Sequence, residues 1–157
     1  MFLNFELLID YKPNKQFMNK QKVYLEHANI SVRNMDRTVH FFKTAFPHFS
    51  IRGKGSETRN WLHIGDEVTY IALSQAEPTA KLHEKNYNIT GINHIGFVVD
   101  DVEIIADRLL SEGFKRDYPK QIEKYRIRDY FTDGEGNEYE FVQYLSDNIE
   151  QMNSYEM

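Results

Sequence analysis

The sequence predicts an α+β fold: two tandem βαβββ units forming a curved, cleft-enclosing mixed sheet with helices on the outside. Three observations predict it. The segment Leu25-Glu26-His27-Ala28-Asn29-Ile30-Ser31-Val32 recurs in the second half as Ile92-Asn93-His94-Ile95-Gly96-Phe97-Val98-Val99, with a histidine at the same place in each copy. Each copy is followed by the same order of periodicities, a helix and then three short strand-like runs. The closing segments Tyr70-Ile71-Ala72-Leu73-Ser74 and Glu138-Tyr139-Glu140-Phe141-Val142 also align, with Ala72 at the position of Glu140.

Residues 1–22 have no counterpart in the repeat and read as an N-terminal extension, docked through Phe2, Phe5 and Leu8. The first unit spans 23–75. Ala28, Ile30 and Val32 alternate with His27, Asn29 and Ser31, which is a half-buried strand with its histidine on the polar face. Met35, Val39, Phe42 and Phe46 then mark an amphipathic helix, with Asn34 as N-cap. Strands follow near Phe49 to Arg52, Trp61 to Ile64 and Val68 to Ser74. A polar linker from Ala76 to Thr90 carries Pro78.

The second unit spans 92–145 and repeats the order. Ile95, Phe97 and Val99 alternate with His94, Gly96 and Val98. A helix follows, marked by Val102, Ala106, Leu109 and Leu110, with Asp101 as N-cap and Gly113 as its stop. Strands are expected near Phe114 to Asp117, Tyr125 to Phe131 and Glu138 to Leu145, before a polar tail at 146–157. In the last strand Tyr139 and Phe141 point one way, and Glu138, Glu140 and Val142 the other. The apolar faces should pack on each unit's own helix, leaving His27, His94 and Glu140 on concave faces that enclose a cleft.

With 41% apolar and 14% aromatic residues the chain has ample material for a packed core, so disorder is excluded. A formal net charge of -5 gives no basic footprint for nucleic acid. Cysteine is absent, which excludes disulfides and thiolate chemistry and fits a cytoplasmic protein. Glu6 and Asp10 interrupt the apolar start, so neither a signal peptide nor a membrane span is expected.

Two histidines and one glutamate form a metal-ligand set. Together with the turn Asp133-Gly134-Glu135-Gly136-Asn137 leading into Glu138-Tyr139-Glu140-Phe141-Val142, the paired histidine strands resemble the vicinal oxygen chelate superfamily. That superfamily includes glyoxalase I, extradiol dioxygenases, fosfomycin-modifying thiol transferases and bleomycin-resistance proteins. The turn is similar to the family's Asp-Pro-x-Gly-Asn motif, with the proline missing. The resemblance implies ligands from the first and last strands of each unit, which here are His27, Ala72, His94 and Glu140. A methyl group cannot bind metal, so it implies His27, His94 and Glu140 around a divalent Mn, Fe, Zn or Ni ion with positions left open.

The function implied is a metal-dependent lyase or dioxygenase acting on a small molecule with vicinal oxygens, in a homodimer. A metal-free binding or sequestration protein and a fosfomycin-modifying thiol transferase are the alternatives. Glu140 and Tyr130 are the catalytic candidates, while Asn29, Arg126, Arg128 and Glu138 are the substrate-binding candidates. Tyr130, Arg126 and Arg128 share one strand face, where they could hold an anion and supply an acid. His40, His48, His63 and His83 lack repeat partners; Trp61, Phe41, Phe42 and Phe46 read as core or interface, and Lys115 to Lys124 as a solvated loop.

Overall fold

The computed structural model describes residues 23–82, 87–88, 90–154 and 156. The expected docking of Phe2, Phe5 and Leu8 and the residue His83 lie outside these. The first unit contains β1 (His27–Val32), α1 (Met35–Ala45), β2 (Ser50–Gly55), β3 (Trp61–Gly65) and β4 (Tyr70–Gln75). The second contains β5 (His94–Val98), α2 (Val102–Ser111), β6 (Lys115–Arg116), β7 (Gln121–Ile122), β8 (Arg126–Thr132) and β9 (Glu138–Tyr144), and a short α3 (Ile149–Met152) follows.

The α+β class holds, and the strands form two mixed sheets. Their orders are β1-β4-β3-β2 and β5-β9-β8-β6, with β7 added on β8. In both, the first strand runs parallel to the last, because the intervening helix carries the chain back across the sheet before the meander begins. The second register sets His94 opposite Glu138 and Gly96 opposite Glu140. In the first, His27 lies opposite Tyr70 and Asn29 opposite Ala72.

The helices start where their caps dictate. Asn34 Oδ1 accepts from the Arg37 amide at 3.0 Å, and Asp101 Oδ1 accepts from Glu103 and Ile104 amides. Gly113 ends the second helical segment at a φ of 80°, a left-handed conformation that a side chain would strain. The buried face of α2 is Val102, Ile105, Ala106 and Leu109, so the expected Leu110 turns out to solvent. Before β4, Asp66 Oδ1 takes the Val68 and Thr69 amides into a turn, which delays the strand to Tyr70.

One core joins the two units. Each helix was expected to pack on its own unit, but α1 also reaches the second sheet: Phe41 and Phe42 lie 5.0 and 4.9 Å from Tyr139, and Phe46, just beyond the helix, lies 5.1 Å from Phe97. Asp133 fastens the same junction. Its buried carboxylate accepts from Thr38 Oγ1 at 3.2 Å, Asn137 Nδ2 at 3.0 Å and the Glu135 amide at 2.8 Å. Gly134 takes a φ of 84°, a left-handed conformation that a side chain would strain, and the Arg37 guanidinium packs against it.

The segment Lys115 to Lys124 is more than a solvated loop. Arg116 binds the fully buried Asp129 through Nε at 2.8 Å and Nη2 at 2.7 Å. Buried Glu123 takes Arg126 Nε at 2.5 Å on one oxygen and Arg128 Nη2 on the other. Burial pushes the Glu123 pKa up, but the hydrogen bonds from the two arginines outweigh it and the net shift is downward. Because its folded pKa lies below the unfolded value of about 4.3, Glu123 stabilises fully above that pH and loses the contribution as pH falls through the folded pKa. Glu123→Gln should therefore cost about 2 kcal/mol in urea unfolding at pH 7. The difference from wild type should shrink below about pH 4; a pH-independent difference would contradict this role.

Candidate functional site

The polar face of the second sheet is built by β5, β9 and β8. Tyr139 and Phe141 are fully buried on the opposite face, which forces Glu138 and Glu140 onto this one. Gly96 pairs with Glu140 in the register, and a Cβ there would make only ordinary contact with Oε2, so it is the register that lays the carboxylate across β5 toward His94. His94 Nε2 is 3.2 Å from Glu140 Oε2, and its Nδ1 is 3.7 Å from Glu138 Oε1. The imidazole thus sits between two carboxylates, with one nitrogen toward each.

Glu140 is held by its other oxygen. Tyr130, cross-strand from it, donates its hydroxyl to Oε1 at 2.6 Å, and Arg128 Nη1 lies 3.6 Å from the same atom. The Tyr130 ring also meets His94 edge-on, with centroids 5.8 Å apart. Burial, then the hydrogen bond to Glu140, pushes the phenol pKa well above its ordinary value. Tyr130 therefore keeps its proton and acts as a fixed donor. Arg126 and Arg128, expected to grip an anion, are both already engaged by Glu123.

His27 lies on the first sheet, 42% exposed at its side chain. Its Nδ1 is 3.0 Å from Glu26 Oε2 and its ring stacks on Tyr70 at 4.7 Å. Asn29 accepts from Ser74 Oγ at 3.2 Å. Ala72 is buried and offers no donor, and His63 stands beside it in the register. The structure thus brings His94, Glu138, Glu140, Tyr130 and Arg128 together, while His27 and Asn29 occupy the other sheet. Among the described residues, no three His, Cys, Asp or Glu side chains are grouped at metal-ligand spacing.

A pair of donors each about 2.1 Å from a metal ion and at right angles to one another is about 3 Å apart. The separation of His94 Nε2 and Glu140 Oε2 fits that, and an imidazole with a carboxylate suits a divalent first-row ion. Sequence reasoning missed Glu123 and Glu26. Glu123 was hidden in a charged stretch, and Glu26 signals itself only by adjoining a candidate ligand. In the sequence His63 reads as a core or surface histidine able to line the pocket and Trp61 as core or interface; both stand half-buried with Tyr70 on the outer face of the first sheet, as the alternation of Trp61 and His63 with Leu62 and Ile64 in β3 signals.

Solved structures of similar fold include a fosfomycin resistance protein, FosX, from Listeria monocytogenes, 17% identical with a TM-score of 0.65 over 84% of this chain and 97% of that one. FosX from Mesorhizobium loti is 20% identical, with a TM-score of 0.64 over 85% of this chain and 100% of that one. A glyoxylase/bleomycin resistance protein/dioxygenase domain from Frankia sp. EAN1pec is 16% identical, with a TM-score of 0.67 over 79% and 99%. At these identities the likeness is one of fold. Comparison with curated proteins returns no match. No helix among the described residues is long and apolar enough to cross a membrane. The family model described as Glyoxalase/Bleomycin resistance protein/Dioxygenase superfamily matches residues 24–141, most of the sequence, and the chain belongs to that superfamily.

Proposed function

We propose that the chain is a metal-dependent enzyme of the lyase or dioxygenase type that binds a small substrate through adjacent oxygens. The metal is held by His94 and Glu140 of one copy and by His27 of a second copy in a homodimer. The observation that carries this reading is the approach of His94 Nε2 to Glu140 Oε2 at 3.2 Å, with Tyr130 fixing the far carboxylate oxygen. Manganese, iron, zinc and nickel all accept two imidazoles and a carboxylate, and such an ion polarises the oxygens of its ligand as a Lewis acid.

The residues around the centre have complementary parts. Tyr130 stays protonated and aims Oε2 of Glu140 toward His94. Glu138 stands behind His94, and Glu26 stands behind His27, each on the Nδ1 side. A carboxylate there orients an imidazole that ligates through Nε2. Copy pairing is supported by the open edges. β1 and β5 are edge strands, and exposed apolar residues gather in and just before them: Val23 at 84%, Leu25 at 76%, Ile92 at 64% and Val98 at 70%. Edges of this kind, uncovered by any of the described residues, call for a partner.

The substrate class is supported by a relative of the same fold. A mutant of FosX from Listeria monocytogenes is solved with Mn(II) and 1S,2S-dihydroxypropylphosphonic acid, a molecule with neighbouring hydroxyl groups. Fosfomycin modification is the second reading, favoured by that likeness. It requires the chain to raise fosfomycin tolerance in a sensitive host.

Protein purified without chelators and supplied with Mn, Fe, Zn or Ni should hold about one equivalent of metal per chain. His27→Ala, His94→Ala and Glu140→Gln should each hold less than about a tenth of that. Metal-free wild type that is nevertheless stabilised by ligand would overturn the reading in favour of a binding protein. Tyr130→Phe should fold normally and weaken metal affinity about tenfold, because Glu140 loses its orienting donor. Unchanged affinity would remove Tyr130 from the site.

A further inference from the structure

The outward face of the first sheet carries a continuous row of rings. His27 on β1 stacks on Tyr70 of β4 at 4.7 Å with planes 15° apart. Tyr70 lies 4.8 Å from His63 of β3, and His63 lies 4.9 Å from Trp61. None of these rings belongs to the core, which takes Leu62, Ile64, Ile71 and Leu73 from the opposite face. Four rings presented toward solvent on a sheet whose inner side is already filled are unused by packing.

The end of the row is shaped for contact. The Trp61 indole lies over β2 in the space that Gly55 leaves, where a Cβ would stand 2.6 Å from Nε1; at Gly53 a Cβ would make only ordinary contact with the ring. The indole is pinned there by Nε1 donating to Glu57 Oε2 at 3.1 Å. Beside it is a concavity of about 390 Å³ lined by Asn29, Thr58, Arg59, Trp61, His63 and Ser74. That volume admits a one- or two-ring molecule.

Charge selects among such molecules. Arg59 forms a wall of the concavity, and Arg52 lies over Tyr70 at 4.4 Å. The acids nearby are Glu57, held by the indole, Glu26, paired with His27, and Asp66, which is held by the Val68 and Thr69 amides and interacts with Arg52. Burial, then the neighbouring His27 and Arg52, lowers the His63 pKa, so that ring is neutral at pH 7 and presents an uncharged face.

We propose that this row is a stacking shelf for a flat aromatic ring bearing an anionic group, with the ring on Trp61 and His63 and the anion at Arg59. The shelf shares a polar face with His27, so it names the class of molecule that this face would bring to the metal centre. That link rests on the copy pairing proposed above, while the binding itself does not.

Calorimetric titration of chelator-treated full-length protein separates the two. Naphthoate should bind saturably. Decalin carboxylate, which keeps the charge without the flat ring, and naphthamide, which keeps the ring without the charge, should each bind at least about tenfold more weakly. Trp61 is the only tryptophan in the chain, so its emission should change along the same isotherm. Trp61→Ala and Gly55→Val, the second displacing the indole without removing it, should each weaken naphthoate about tenfold with the fold intact by thermal melting. Arg59→Ala should erase the preference for the acid over the amide. Glu140→Gln should bind naphthoate as wild type does, so a failure of metal retention leaves this result standing. Equal affinity for flat and saturated acids, wild-type affinity in both ring variants, or loss of naphthoate binding in Glu140→Gln would overturn the shelf.

Discussion

The parallel ladder between β5 and β9 sets everything at the candidate site. It fixes Gly96 against Glu140 and His94 against Glu138, and it does so because the same strand buries Tyr139 and Phe141 completely on its other face. A slip of one residue would bring both aromatic rings to the surface and both carboxylates into the core. Exposing two such rings costs roughly 2–3 kcal/mol each, and burying unpaired carboxylates costs more. The approach of His94 to Glu140 is therefore a consequence of packing on the opposite side of the sheet. Core and site are two faces of one register.

The same logic explains why His27 stands apart. The rings of α1 pack against Tyr139 while Phe46 meets Phe97. Asp133 then ties the start of that helix to the second unit through Thr38. The two units become one body with a shared apolar interior, and each keeps its histidine on its own polar face. Completing a three-ligand centre by a second copy is the reading consistent with this, and the exposed apolar residues beside β1 and β5 point the same way.

Much of this was legible in the chain. The alternation of Ala28, Ile30 and Val32, and of Tyr139 and Phe141 with the glutamates, gave the strands and their faces, since a period of two reports burial directly. Asn34 and Asp101 announced α1 and α2 by side chains that suit an N-cap just before an amphipathic run. What stayed hidden depends on contacts distant in sequence. No local pattern reveals that α1 spans both sheets, or that Arg126 and Arg128 are claimed by Glu123 from a neighbouring strand connection. Trp61 read as core or interface, and the space left by Gly55 across the strand pair lets it lie on the outer face. Composition cannot show which side of a sheet a large ring takes.

The central claim, a centre shared between copies, is tested most directly by mixing two metal-free variants. His27→Ala retains His94 and Glu140, while Glu140→Gln retains His27, so a mixed dimer contains one intact site and one doubly broken one. After unfolding and refolding together in equal amounts, about a quarter of all sites should regain metal, since half of the dimers are mixed. A mixture that remains as empty as its separate components, although sedimentation shows the dimers exchanging, would contradict the account.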